Sequence, residues 1–128
     1  MKLRVVPFLA VLVLAGCSKI HESRSFNLEP LATNTLSISA PLSEQKVKVA
    51  VTSDQPVNVW VLLEKDIPAG SKDDFDPDKS MKSGILAKEK NAKDATLNAT
   101  VPAKEKYQIY VSNPGSKAAS VTVKVDSQ

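Results

Sequence analysis

The sequence predicts an all-β fold, a single antiparallel β-sandwich of the jelly-roll or immunoglobulin-like type. Three observations predict it. Apolar and polar residues alternate with a period of two over several short segments, β-branched residues dominate those segments, and turn-forming residues separate them. The chain has 128 residues, which suffices for one domain with a modest core and leaves little room for a second.

A short targeting segment precedes the predicted domain. Lys2 and Arg4 stand before an uncharged run over 5–14, about half of the roughly 20 apolar residues that a spanning helix requires. The residues Leu14-Ala15-Gly16-Cys17 follow this run directly, and their order resembles the lipobox of bacterial lipoprotein signals. The resemblance implies that 1–16 are a signal peptide cut off before Cys17, and that Cys17 then carries acyl chains, palmitate among them.

Lipidation of Cys17 would decide where the protein works. Two or three acyl chains hold a protein on a membrane almost permanently, whereas a single chain holds it only marginally. We therefore expect a lipid-anchored protein of the bacterial cell envelope. Ser18 stands where an Asp tends to retain Gram-negative lipoproteins in the inner membrane, so it favours the outer membrane.

Composition excludes some classes of function. Without 1–16 the chain keeps 112 residues, with 15 basic against 14 acidic side chains. This near balance lacks the positive excess that nucleic-acid binding requires, so we expect no nucleic-acid partner. Cys17 is the only cysteine, and its lipidation would leave no thiol for a disulfide.

The segment 17–34 is polar and shows no sustained period, which predicts a short flexible tether between the lipid and a domain over 35–128. Phe26 and Leu28 alternate with polar neighbours near its end. These two residues could therefore dock as a short edge strand.

Seven segments of the domain show strand alternation. A turn at Ser53-Asp54-Gln55-Pro56 is predicted to separate the second from the third, and the turns 102–105 and 113–116 flank the sixth. Residues 85–90 also fit the end of a short helix from Ser80, but Gly84 interrupts such a helix and favours a strand. The predicted strands cover 36–40, 47–51, 57–63, 85–90, 97–101, 107–111 and 121–125.

The last third of the chain carries a resemblance to a known kind of domain. Thr100-Val101-Pro102 precedes a turn, an aromatic-led strand over 107–113 ends in Asn113, and valines alternate over 121–125. This order resembles the closing strands of bacterial pre-peptidase C-terminal and GOLD-like sandwich modules. The resemblance implies a non-catalytic accessory or interaction module, and it transfers no active-site residues to this chain.

Three apolar residues are out of phase with the predicted core. Trp60 and Leu62 face away from Val59 and Val61 on one strand, and Tyr110 does so on another. If the two strands are neighbours, these residues form an outward patch of the kind that recognises proteins or saccharides. The alternative is that Phe26, Leu28 or the long connection over 65–84 folds over this face and buries it.

The long connection contains acidic residues in a D-x-D-x-D pattern. Asp74, Asp76 and Asp78 could gather oxygen ligands around Ca²⁺. The EF-hand pattern fails, because Lys79 stands at the position of the sharp-turn glycine and Ile85 at that of the bidentate glutamate. The alternative is a solvated acidic loop.

No catalytic arrangement can be recognised. His21 is the only histidine and lies four residues from the anchor, where we expect no rigid framework to position a base. We therefore expect a non-catalytic binding or structural module for another envelope protein or a glycan, without cofactors. The alternatives are a Ca²⁺-dependent module using the acidic loop 73–78, and an inhibitor that inserts the loop 66–83 into a secreted enzyme. The oligomeric state stays open.

Overall fold

The computed structural model describes residues 19–71 and 75–128. Its antiparallel strands are β1 (His21–Leu28), β2 (Thr33–Ile38), β3 (Gln45–Leu63), β4 (Ile85–Val101), β5 (Tyr107–Ser112) and β6 (Ala119–Ser127). A 3₁₀ turn over Glu64–Asp66 and a short helix, α1 (Pro77–Ser80), lie between β3 and β4. Within these described ranges, no helix combines the length and hydropathy needed to cross a membrane. The predicted signal peptide and Cys17 lie outside the described residues.

The strands β3 and β4 are longer than predicted, with 19 and 17 residues. The predicted turn at 53–56 is wrong, because these residues remain within β3, at a register shift between Thr52 and Val57. Residues 53–56 have no partner on β4, and such an irregularity tolerates Pro56, which lacks an N–H. The segments 85–90 and 97–101 likewise belong to the single strand β4. The strand expected over 85–90, rather than a helix, is confirmed.

All six strands belong to one antiparallel sheet that is nearly closed. The first run of β3 pairs with β6, as in Val47 opposite Ser127, and its second run pairs with β5, as in Leu63 opposite Tyr107. Beyond these, β1 pairs with β6 and β2 with β5, which gives the order β1-β6-β3-β5-β2 with β4 on the other edge of β3. The predicted all-β class is thus confirmed, whereas the two separate sheets of a jelly-roll or immunoglobulin-like sandwich are not.

Part of the predicted tether belongs to the sheet. β1 pairs with β6 over its whole length, from His21 opposite Asp126 to Leu28 opposite Ala119. Phe26 and Leu28 belong to an edge strand, as expected, but this strand begins earlier in the chain, at His21. Even Ile20 is held, since its N–H donates to Ser127 Oγ at 3.0 Å and its carbonyl accepts from Ser127 N–H at 3.0 Å. The flexible tether predicted over 17–34 is therefore wrong from Ile20 onward.

The core consists of the alternating side chains that face inward from both runs of β3 and from the strands beside them. Valines dominate it, and Tyr107 and Ile109 of β5 are its largest fully buried members. Each strand contributes every second residue because side chains in a strand point alternately to the two faces. Burying this apolar surface is the main stabilising contribution to the fold.

The turns between strands gather at two opposite ends of the sheet, and the register shift in the middle of β3 lies at one of these ends. We call the end at which β1 begins the N-terminal pole; it comprises Lys19 and residues 41–46, 102–106 and 127–128. We call the other end the Asn113 pole; it comprises residues 29–32, 53–56, 91 and 113–117. β1 runs from one to the other, and eight residues of strand span about 26 Å.

Candidate functional site

The segment between β3 and β4 covers one outer face of the sheet. This cover segment comprises residues 64–84, described except for 72–74. Beneath it, Trp60, Leu62 and Tyr110 form a second apolar cluster with Met81, against which Ile67, Phe75 and Ile85 also pack. The segment ends at Gly84, whose φ of 89° is favourable only for glycine. The Gly84 carbonyl accepts the Leu63 N–H at 2.8 Å, which joins the two ends of the segment.

Aromatic rings hold the cover segment in place. Trp60 and Tyr110 are paired across β3 and β5, with ring centroids 5.6 Å apart. Phe75 packs on Tyr110 at 5.1 Å, and the Tyr110 hydroxyl donates to the Phe75 carbonyl at 2.7 Å. These tilted contacts at centroid distances of 4.5–7 Å are the favoured geometry for aromatic pairs.

The predicted exposed patch is therefore wrong. Trp60, Leu62 and Tyr110 do share one face, as the sequence phase indicates, but Trp60 is only 3% exposed and the other two are also buried. The alternative, in which the long connection folds over this face, is what the structure has. Within the loop expected to act as a plug over 66–83, Phe75 and Met81 pack against this cluster, whereas residues 68–71 are exposed, so an inhibitory role of the loop stays a prediction.

A single carboxylate fixes the centre of the cover segment to the sheet. Asp78 Oδ1 accepts from Trp60 Nε1 at 3.0 Å and from Lys88 Nζ at 3.0 Å, while Oδ2 accepts from Lys90 Nζ at 3.0 Å. The hydrogen bond from Trp60, followed by those from the two lysines, lowers the pKa of Asp78 to about 2, against the opposing effect of burial.

Two of the three predicted calcium ligands, Asp76 and Asp78, accept hydrogen bonds from other groups of the protein. The Asp78 carboxylate is paired with the ammonium groups of Lys88 and Lys90. Asp76 is the N-cap of α1, and its Oδ1 accepts the Asp78 N–H at 2.9 Å. Asp74 lies outside the described residues. Within 19–71 and 75–128, no three His, Cys, Asp or Glu side chains converge as metal ligands.

We expect Asp78 to make the stability of the domain depend on acid. The pKa of Asp78 in the folded protein lies below its ordinary value of 3.8. Its contribution to the free energy of unfolding is therefore complete above pH 3.8 and is lost as the pH falls through about 2. The pKa difference corresponds to at most about 2 kcal/mol, which solvent around the half-exposed lysines reduces to roughly 1 kcal/mol.

The Asp78→Asn variant, which keeps an oxygen for Trp60 but loses the charge, measures this contribution. Urea unfolding should find it less stable than the wild type by about 1 kcal/mol at pH 7, and this difference should fall to a small fraction near pH 2, where about half of the Asp78 carboxyl groups are protonated. Asp94→Asn, on an exposed position of β4, serves as the control and should show no such difference. A deficit of Asp78→Asn that persists unchanged at pH 2 would contradict the electrostatic origin.

His21 occupies a more rigid position than the sequence indicates. It lies on β1, and its Nδ1 is 2.6 Å from Asp126 Oδ1 across the pair with β6. The expectation that no framework holds His21 is therefore wrong. The imidazole is exposed, and Asp126 is the one side chain of the described residues with which it forms a hydrogen bond.

At the Asn113 pole, one side chain connects two turns. Asn113 is only 1% exposed, and its Nδ2 donates to the carbonyls of Leu28 at 2.9 Å and Lys117 at 2.7 Å. Its Oδ1 accepts the Gly115 N–H at 3.0 Å. One buried amide thus ties the turn after β1 to the turn after β5, although its sequence position indicates only a turn.

A groove of about 410 Å³ opens at this pole. A smaller hollow of about 200 Å³ shares Asn113 and Pro114 with it and reaches Leu31. The groove carries amide, hydroxyl and ammonium groups together with two proline rings, a mixture that can both hydrogen-bond and pack against a partner. Its lining residues are Gln55, Pro56, Asn91, Asn113, Pro114, Gly115, Ser116 and Lys117.

Leu31, beside the groove, combines an exposed apolar side chain with an unfavourable backbone conformation. Its side chain is 76% exposed, and its φ of 63° lies in the left-handed region that bulky residues rarely adopt. Its N–H donates to the Asn113 carbonyl at 2.9 Å, which holds the turn in this conformation. Residues held in such sparsely populated backbone conformations cluster at active sites and ligand-binding sites. Sequence reasoning missed this residue because it lies in the segment interpreted as a tether.

Comparison with known proteins finds similarity of fold only. No family model matches the chain, and no curated protein matches it in sequence. Among solved structures, the pre-peptidase C-terminal domain of a collagenase from Bacillus anthracis is similar at 13% identity and a TM-score of 0.61, over 83% of this chain and 89% of that one. The resemblance to pre-peptidase C-terminal modules, expected from the last third of the sequence, is therefore supported weakly and covers the fold of most of the chain, whereas the GOLD-like resemblance stays a prediction.

Two further bacterial structures share the fold. The mitogen derived from Yersinia pseudotuberculosis is 6% identical, with a TM-score of 0.58 over 84% of this chain and 85% of that one. PliG of Aeromonas hydrophila, a periplasmic inhibitor of g-type lysozyme, is 16% identical, with a TM-score of 0.53 over 87% of each chain. At such identities the three comparisons establish a β-domain and do not carry an activity across.

Proposed function

We propose that this chain is a lipid-anchored protein of the bacterial cell envelope, attached through Cys17, that acts as a non-catalytic binding module. Its binding surface is the Asn113 pole, and its partner is another envelope protein or a glycan. The observation that carries this proposal is Leu31, an exposed and strained apolar residue beside a polar groove. The fold shared with PliG, a periplasmic inhibitor, is compatible with such a role.

The positions of the two poles support this assignment. Cys17 precedes β1 by only a few residues, so an anchor on it would hold the N-terminal pole toward the membrane. The Asn113 pole, about 26 Å away along β1, would then face outward from the lipid. A partner in the envelope could reach the groove and Leu31 without competing with the membrane for the same surface.

The proposal is tested by in-cell crosslinking and membrane fractionation of matched variants. We expect the wild type in the membrane fraction with acyl chains on Cys17 that mass spectrometry detects, and we expect Cys17→Ser to carry none, because the thiol is their attachment point. Lys117→Glu, at the groove, should lose most of the crosslinked adduct. Lys124→Glu makes the same charge change on an exposed position of β6 and should retain the adduct.

Leu31→Asn provides a second variant at the binding surface. Asparagine tolerates the left-handed backbone, so this variant removes the apolar side chain without opposing the turn. Cosedimentation with isolated cell-wall glycan, measured for the same set, distinguishes a glycan from a protein partner. Adducts and sedimentation that are unchanged in both Lys117→Glu and Leu31→Asn would contradict the assignment of the surface.

A further inference from the structure

The N-terminal pole also has an exposed apolar residue, Leu42. Among the described residues two large hydrophobic side chains are mostly exposed, Leu31 at the Asn113 pole and Leu42, at 68%, at the N-terminal pole. Single exposed leucines are common on protein surfaces, so position must decide whether Leu42 has a role. Leu42 follows Pro41, whose carbonyl accepts the Lys104 N–H at 2.7 Å and joins the turns of this pole.

The position of Leu42 follows from the short distance to the proposed anchor. Only Ser18 separates Cys17 from Lys19, and an extended residue spans at most about 3.6 Å, so the Cα atoms of Cys17 and Lys19 lie within about 7 Å. Lys19 lines the same recess as Ser43, the neighbour of Leu42, and as Ser127. A lipid on Cys17 would therefore hold Leu42 next to the bilayer surface.

The charges around Leu42 suit an anionic lipid surface. Lys19, Lys46, Lys104 and Lys106 are exposed at this pole, and none forms an ion pair within the described part of the chain. The opposing exposed acids are Glu44 at the pole and, at its border, Glu64 and Glu22 near the start of β1, while Glu105 is neutralised by Lys65 at 3.3 Å. Lysines at a membrane surface place their ammonium groups among lipid phosphates while their alkyl chains cover apolar surface.

We infer that the partner of the N-terminal pole is the lipid bilayer itself, into whose headgroup region Leu42 inserts. This inference rests on the proposed lipidation of Cys17, which confines the pole to the surface and makes further insertion an intramolecular step. The added contact holds the domain upright on the membrane. The Asn113 pole then points away from the lipid at a fixed height, instead of sweeping over the surface on a loose tether.

Fluorescence quenching from the lipid side tests the inference. The lipidated full chain is reconstituted into vesicles of phosphatidylcholine and phosphatidylglycerol, with and without bromine on the acyl chains. Leu42→Trp reports on the N-terminal pole, and Leu31→Trp is the matched control at the Asn113 pole. The native Trp60 is buried, so the wild-type signal gives the background to subtract. Both substitutions replace exposed side chains, and circular dichroism confirms that the variants fold.

The expected result is quenching of about twofold at position 42 and none at position 31, since an interfacial side chain reaches roughly 5–10 Å into the headgroup and acyl boundary. No quenching at 42, in protein whose Cys17 lipid is confirmed by mass spectrometry, overturns the inference and leaves the anchor intact. Equal quenching at both positions also overturns it, because the domain would then lie on its side. Absence of lipid on Cys17 overturns the proposed anchoring and this inference together.

Discussion

Replacing Trp60 by Ala should destabilise the domain by about 3–5 kcal/mol, the usual cost of removing a fully buried tryptophan. The side chain is buried between the sheet and the cover segment, and it supplies the N–H that Asp78 accepts. Its loss leaves a cavity beneath Met81 and removes a donor from the carboxylate. Since small domains have only 5–15 kcal/mol of stability in total, we expect a large fall in the midpoint of urea unfolding.

Trp60→Phe separates the two contributions of this side chain. Phenylalanine retains most of the apolar contact with Tyr110 but cannot donate to Asp78, so it should recover more than half of the stability lost in Trp60→Ala. An exposed patch, as the sequence phase suggests, predicts instead that Trp60→Ala leaves the unfolding midpoint unchanged. That outcome would contradict the arrangement of the cover segment over Trp60.

Replacing Asn113 by Ala should destabilise the domain by about 2–3 kcal/mol and also abolish binding at the Asn113 pole. The substitution leaves the Leu28 and Lys117 carbonyls and the Gly115 N–H without their partner, and unsatisfied buried polar groups are costly. It also releases the turn that holds Leu31 and the groove. We therefore expect lower unfolding free energy and a loss of the crosslinked adduct.

Asn113→Asp tests whether the amide donor is the decisive group. Aspartate preserves an acceptor for Gly115 but faces two carbonyl oxygens without a hydrogen to offer, so it should be at least as destabilised as Asn113→Ala. The measurement is again urea unfolding, at neutral pH. A variant as stable as the wild type would show that the two carbonyls find other donors and that Asn113 does not organise the pole.

Local alternation predicts the strands well because it reflects which face of a strand is buried. The apolar alternation over 36–40, 107–111 and 121–125 corresponds to β2, β5 and β6. The continuity of β3 cannot be predicted in this way. Ser53-Asp54-Gln55-Pro56 has the composition of a turn, and it remains in a strand because pairing with β6 extends as far as Ser53, opposite Val121.

The two other errors have a related physical origin. β1 lies at the edge of the sheet and exposes most of its side chains, so the polar sequence of His21–Leu28 lacks the apolar alternation that marks a strand. The burial of Trp60 depends on Phe75 and Met81, which lie in an irregular segment without any period. Neither tertiary pairing nor coverage by a loop leaves a local pattern, so both require the structure.

The antiparallel pairing of β1 with β6 has a mechanical consequence. If the lipid at Cys17 and a partner at the Asn113 pole were pulled apart, the load would run along the axis of β1, parallel to the strand and perpendicular to its hydrogen bonds with β6. All eight residue pairs would then bear the force in shear at once, instead of parting one after another as in unzipping. An edge strand of modest burial would thus give the anchored domain high resistance to detachment under tension.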